Sequence, residues 1–172
     1  MTAAYRIRQF LAALIARVSD ADLAEADAHL PPAARALFRR MPRDGQSHAL
    51  RVLRDLKRAG ETHPSLLAAA LLHDAGKSAA RLGAMTRSII VVMRRVAPAQ
   101  LDRLSAGPAA GWRRPFVAQR DHPRIGAEWA RQAGCDELTA SLIARHQDCV
   151  ERGSLSEEDR LLRALQAVDD RN

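Results

Sequence analysis

The stretch LLHDAGKSAA, Leu71–Ala80, admits two readings with different folds. Gly76-Lys77-Ser78 has the ending of a phosphate-cradling loop, and His73-Asp74 has the makings of a metal-binding pair. A phosphate loop of the form G-x-x-x-x-G-K-[ST] follows a strand and needs its first glycine five residues before the second, so that backbone amides can wrap the phosphates. That position is Leu71. The residues before it, SLLAAALL, are apolar nearly all round and rich in alanine, which predicts a buried helix opened by Pro64 and ended near Gly76. The phosphate-loop reading fails on both counts, and the metal reading carries the argument outward.

The six histidines are His29, His48, His63, His73, His122 and His146. His48, His73, His122 and His146 fall on or at the ends of predicted helices with apolar neighbours, where an unpaired imidazole is costly to bury. His29 and His63 adjoin prolines or turns and are expected at the surface. Adjacent residues sit about 100° apart around a helix, so His73 and Asp74 can address one ion from the same turn. An imidazole with a carboxylate suits a divalent Mn, Fe, Co, Ni, Zn or Mg ion.

Helical patterning extends along the whole chain. Tyr5, Ile7, Phe10, Leu11, Leu14, Ile15 and Val18 predict an amphipathic first helix. Ser19 or Asp20 can cap a short second helix through Ala28, and Pro31-Pro32 precedes a third. A helix from about Asp44 to Ala59 buries Ala49, Leu50, Val52, Leu53 and Leu56, and Gly60 closes it. SIIVVMRRVA suits a strand by composition, but its flanks favour a helix ending before Pro98. The region from Gly107 to Pro115 reads as loop. Helices are then expected over HPRIGAEWARQAG, DELTASLIARH and SEEDRLLRALQAVDD, the last with Ser156 and Asp159 at capping-box spacing. The expected fold is all-α, a bundle of roughly eight or nine helices in one domain of 172 residues, with residues 1–40 as an N-terminal extension and 44–172 as the metal-binding core.

Composition narrows the function classes. The formal net charge is +7, and Arg supplies 25 of the 27 basic residues, the usage of a GC-rich genome. Aromatics are only 3% of the chain, too few for base-stacking platforms, which argues against nucleic acid as the partner. Cys135 and Cys149 form no CxxC pair and are expected to be reduced thiols. The apolar run LAALIA is too short for a secretory core or a membrane span, so a cytoplasmic location is expected.

The ordered set of His48 in GQSHALRVL, His73 and Asp74 in AALLHDAGK, and Asp169 in ALQAVDDRN resembles the HD-domain superfamily of metal-dependent phosphohydrolases. The resemblance runs from about Asp44 to Asn172. His122 in DHPRIGAEWA and His146 in SLIARHQD resemble the second-metal histidines of its binuclear branch, in which one His opens an HPxxG helix and the other ends the next. The resemblance implies six metal ligands, His48, His73, Asp74, His122, His146 and Asp169, with Asp74 as the bridge. Two metals about 3.5–4 Å apart suit phosphate hydrolysis. By sequence Asp170 competes with Asp169, and the resemblance favours Asp169, which packing of its helix or a metal has to hold. Asp44, four residues before His48, is placed to add a ligand, to orient the imidazole or to cap its helix.

The implied reaction is phosphoester hydrolysis by a metal-activated water. Asp74 would orient the nucleophile or take its proton, and Lys77 would neutralise phosphoryl charge. Arg113, Arg114, Arg124 and Arg145 are further candidates to hold a phosphate. The substrate class is a phosphorylated small molecule, a nucleotide above all. The residues after His146 lack the HHE and GYP signatures of cyclic dinucleotide phosphodiesterases. Two other readings are open: a mixed-valence di-iron oxygenase, which shares the ligand order, and a nucleotide-sensing domain without turnover, against which the complete ligand set argues.

Overall fold

The computed structural model describes residues 18–79, 90, 92, 93, 96–107, 111–150 and 156–172. The chain is all-helical, with eight α-helices and no strand among the described residues. These are α1 (Asp20–Asp27), α2 (Pro32–Arg40), α3 (Arg43–Arg58), α4 (Pro64–Leu72), α5 (Pro98–Ser105), α6 (Arg114–Gln132), α7 (Glu137–Arg145) and α8 (Glu157–Asp169). Tight 3-10 turns occupy Ala75–Ala79 and Gly111–Arg113. The amphipathic helix expected over residues 5–17 lies outside the described residues. No helix among those described is long and apolar enough to cross a membrane.

Local chemistry explains most helix ends. Ser19 and Asp22 form a complete capping box on α1, and Pro32 opens α2. Gly60 and Gly134, at φ of +87° and +82°, take the left-handed conformation just beyond α3 and α6. Ser156 caps α8 by accepting from the Asp159 amide. Buried Gln46 donates to the carbonyls of Arg39 and Met41 and so satisfies the end of α2.

Helix α4 is the centre of the bundle. Every residue from Ser65 to Leu72 is buried, against α3, α7 and α8. Asp136, the N-cap of α7, accepts from the Ser65 hydroxyl and so ties the start of α7 to the start of α4. The apolar faces of α3 (Leu50, Leu53, Leu56), α7 (Leu142, Ile143) and α8 (Leu161, Leu162, Leu165) close the core around it.

Two sequence expectations change. Helix α6 starts at Arg114, not at His122, so Pro123 lies inside it, and Arg114 and Pro115 of the expected loop are helical, after a 3-10 turn over Gly111–Arg113. The reason is tertiary: Phe116 packs with Ile90 and Leu101 in a second small core, which holds this first turn in place. Residues 90, 92, 93 and 96 of the strand-like run are helical, as its flanks suggested. His29 and His63 are half-buried rather than surface residues. Cys135 and Cys149 are free thiols, as expected.

Candidate metal centre

Five elements converge on one cluster. His48 comes from the second turn of α3, His73 caps the C-terminus of α4, and Asp74 follows it. His122 projects from the middle of α6, His146 caps α7, and Asp169 is the last residue of α8. The six side chains form two triads, His48–His73–Asp169 and Asp74–His122–His146, whose ligand atoms lie within 4.8 Å of one another in each. In the first, Asp169 Oδ1 is 2.8 Å from His48 Nε2 and 3.5 Å from His73 Nε2. In the second, Asp74 Oδ1 is 3.4 Å from His122 Nε2 and 3.9 Å from His146 Nε2. The other oxygen of Asp74, Oδ2, lies 3.8 Å from His73 Nε2. One carboxylate therefore faces both triads.

Three of the imidazoles are aimed by the same device. Nδ1 of His73, His122 and His146 donates to the carbonyl three residues earlier: Ala70 at 3.0 Å, Gln119 at 2.6 Å and Ile143 at 2.7 Å. At His73 and His146 that carbonyl is one left over at a helix C-terminus. At His122 it is supplied by Pro123, which has no N–H to give to the carbonyl four residues back, Gln119. With the proton fixed on Nδ1, each Nε2 presents a lone pair to the cluster.

That arrangement fits a cation. The Nε2 atoms of His122 and His146 face each other at 3.3 Å, and two lone pairs at that distance repel unless a positive charge lies between them. His73 Nε2 is buried with no hydrogen-bond partner. Burial pushes His146 down to about 3, so it is neutral and ready to ligate at pH 7. Burial alone would raise the Asp74 carboxyl, but Lys77 and the imidazoles of His73 and His122 hold it well below the usual range. Asp169 is likewise held down, against burial, by His48 and His73. Burial also opposes a charge on His73, yet the carboxylates of Asp74 and Asp169 raise its pKa. A field that attracts a proton there attracts a metal ion too.

The role of Pro123 makes a distinctive prediction. Pro123→Ala should stabilise α6 in metal-free protein, because an interior proline costs about 3 kcal/mol relative to alanine. The new amide will compete for the Gln119 carbonyl and release the His122 ring, weakening metal binding about 10–100-fold. Thermal melts of chelated protein and a metal titration check the two effects, which have opposite sign. A variant unchanged in metal affinity would exclude this role for Pro123.

Two glycines let the turn after α4 reach α6. A methyl group on Gly76 would lie 2.0 Å from the His122 carbonyl oxygen and 2.8 Å from the Gly126 amide nitrogen. Gly126 is the glycine of the HPxxG pattern, and a methyl there would meet Gly76 N at 3.2 Å and Ile143 Cγ2 at 3.3 Å. The Gly of each motif is thus the landing place of the other. The pairing of Gly76 with Gly126 was not foreseen; two glycines, one three residues after His73 and the other four after His122, were the available signal.

Lys77 stands 2.6 Å from Asp74 Oδ2, so its first partner is the bridging carboxylate and not open solution. Arg145 is bound by Glu158 and Asp159, and Arg113 donates to the carbonyls of Leu104 and Arg103. Arg124 is exposed on α6. Asp44 lies half-buried in the first turn of α3, and Asp170 is exposed beyond α8, outside both triads.

The HD domain family model matches residues 45–170, a span that contains all six clustered side chains. No curated protein and no solved structure matches the chain.

Proposed function

We propose that this chain, which belongs to the HD-domain family, is a phosphohydrolase in which His48, His73 and Asp169 hold one divalent metal and Asp74, His122 and His146 a second. HD domains bind divalent metals and generally act as hydrolases of phosphorylated substrates. The observation that carries the reading is Asp74, whose Oδ1 faces one triad and Oδ2 the other. Bound there, such metals would polarise a phosphoryl oxygen and lower the pKa of water to make a nucleophile near neutral pH.

The chain's own groups supply the remainder. Asp74, kept ionised, places negative charge between the triads and can orient a water through its lone pairs. Lys77 spends one of its three N–H donors on Asp74 and is about a third exposed, so it can also meet a phosphoryl oxygen on the solvent side. Exposure sets the direction of approach. His48 and Asp169 are 21% and 30% exposed, whereas His122 and His146 are at 0% and 2%. Substrate therefore enters from the His48, Asp169 and Lys77 side, and the inner triad is shielded from bulk water. The substrate is a phosphorylated small molecule, with nucleotides the first class to assay.

The test is inorganic phosphate release from nucleoside mono-, di- and triphosphates and sugar phosphates by protein loaded in turn with Mn, Fe, Co, Ni, Zn and Mg. Phosphate release that depends on metal is the expected result. Oxygen uptake by the iron form, with no phosphate released by any form, would replace the hydrolase with the oxygenase.

A further inference from the structure

Polar residues recur every third position at Arg163, Gln166 and Asp169 of α8 and at Asn172 beyond its end. Residues three apart are neighbours on a helix surface, so Gln166 and Asp169 stand side by side on α8, about 60° apart around its axis. Each member has a defined partner. Arg163 donates to the Val150 carbonyl at 3.3 Å. The Gln166 amide donates to the carbonyls of His146 at 3.1 Å and Asp148 at 2.8 Å. Asp169 meets His48 and His73. The Asn172 amide donates to Asp55 Oδ2 at 2.9 Å, on the same helix as His48, and to Val168 at 3.0 Å.

From this row we infer that Gln166 is a positioning residue for the inner triad, locking His146 to the helix that carries Asp169. Helix α7 ends at Arg145. His146 is its C-cap, so its own carbonyl has no helical partner, and neither has that of Asp148 in the turn that follows. Gln166 satisfies both with one side chain. His146 is thereby gripped twice, through its ring by the Ile143 carbonyl and through its backbone by α8. Because Gln166 and Asp169 are three residues apart on one rigid helix, the separation of His146 from Asp169 is set by α8 itself. Gln166 touches no ligand atom, and it acts through His146.

The inference rests on the metal reading proposed above, but part of its test does not. Gln166→Glu keeps the size of the side chain and, when ionised, replaces the donor with an anion facing two carbonyls. Gln166→Lys keeps a donor. In chelated protein, two-dimensional NMR of the imidazoles should show the His146 ring signals displaced in Gln166→Glu and restored toward wild type in Gln166→Lys, with those of His48 unmoved. On titration with Zn, Gln166→Glu should behave as His146→Ala does: binding at one site is kept and binding at the other is weakened about 10–100-fold. If His146 signals and Zn binding are those of wild type, the inference is overturned. It is equally overturned if all four clustered imidazoles move together while the thermal midpoint falls, since Gln166 would then be a packing contact only. Absence of Zn binding in wild type itself would refute the metal reading, and the ring signals of chelated protein would still decide the role of Gln166.

Discussion

Gly76→Ala is expected to lower stability by about 3 kcal/mol or more, the upper end of what overpacking costs, and to separate Asp74 from His122. The added methyl would lie 2.0 Å from the His122 carbonyl oxygen, 2.8 Å from Gly126 N and 2.9 Å from His122 C. These are backbone atoms of a helix that is packed on α7 along its length, so no side-chain end can swing aside. Either α6 retreats by roughly an ångström or more, or the turn Ala75–Ala79 lifts off, and both movements open the inner triad. For a chain of this size the loss corresponds to a fall in thermal midpoint of roughly 6–12 °C. Gly126→Ala is the control. Its methyl meets Gly76 N at 3.2 Å and Ile143 Cγ2 at 3.3 Å, contacts that need a shift of only a few tenths of an ångström. Alanine also favours the helix by about 1 kcal/mol over glycine, so this variant should stay near wild type. Urea unfolding of both variants, without metal, decides the matter: equal midpoints for the two would refute the proposed contact.

Asp74→Asn should abolish metal retention at both triads, from about two ions per chain to near none, and take phosphate release to background. Asparagine keeps the shape but removes the negative charge that faces His73 through Oδ2 and His122 and His146 through Oδ1. Asp169→Asn is predicted to differ in kind, because among the described cluster residues Asp169 meets His48 and His73. It should empty the outer site and spare the inner one. Metal content of each purified protein, prepared without chelator or affinity metal, is the measurement. A wild-type metal complement in Asp74→Asn would remove the bridge from the proposal, and the hydrolytic reading would lose its main support.

Much of the fold was legible because helical burial is written locally. The apolar circumference of SLLAAALL could only be a central helix, and α4 is buried from Ser65 to Leu72. Ser19, Pro32, Pro64, Gly60 and Gly134 mark helix ends through their own backbone and hydrogen-bonding chemistry, which needs no distant partner. The start of α6 was not legible, because Pro123 is a good first-turn residue and a poor interior one. Only the packing of Phe116 against Ile90 and Leu101 shows that the helix was already under way. The ion pair of Lys77 with Asp74 was not legible for a related reason: the motif points to a phosphate contact, and only the tight turn shows that the lysine also meets the carboxylate three residues away.

The sequence by itself determined the donor types, their order and the helices that carry them, since each depends on neighbours within a turn or two. Tertiary structure decided which donors meet. Asp169 reaches His48 across 121 residues of chain while Asp170 points away, and Asp74 divides its two oxygens between triads drawn from separate helices. It also decided that one triad is shielded and the other open. Those outcomes follow from how closely α4, its turn and α6 can approach, and that distance is set first by Gly76, which has no room for a methyl group against the backbone of α6.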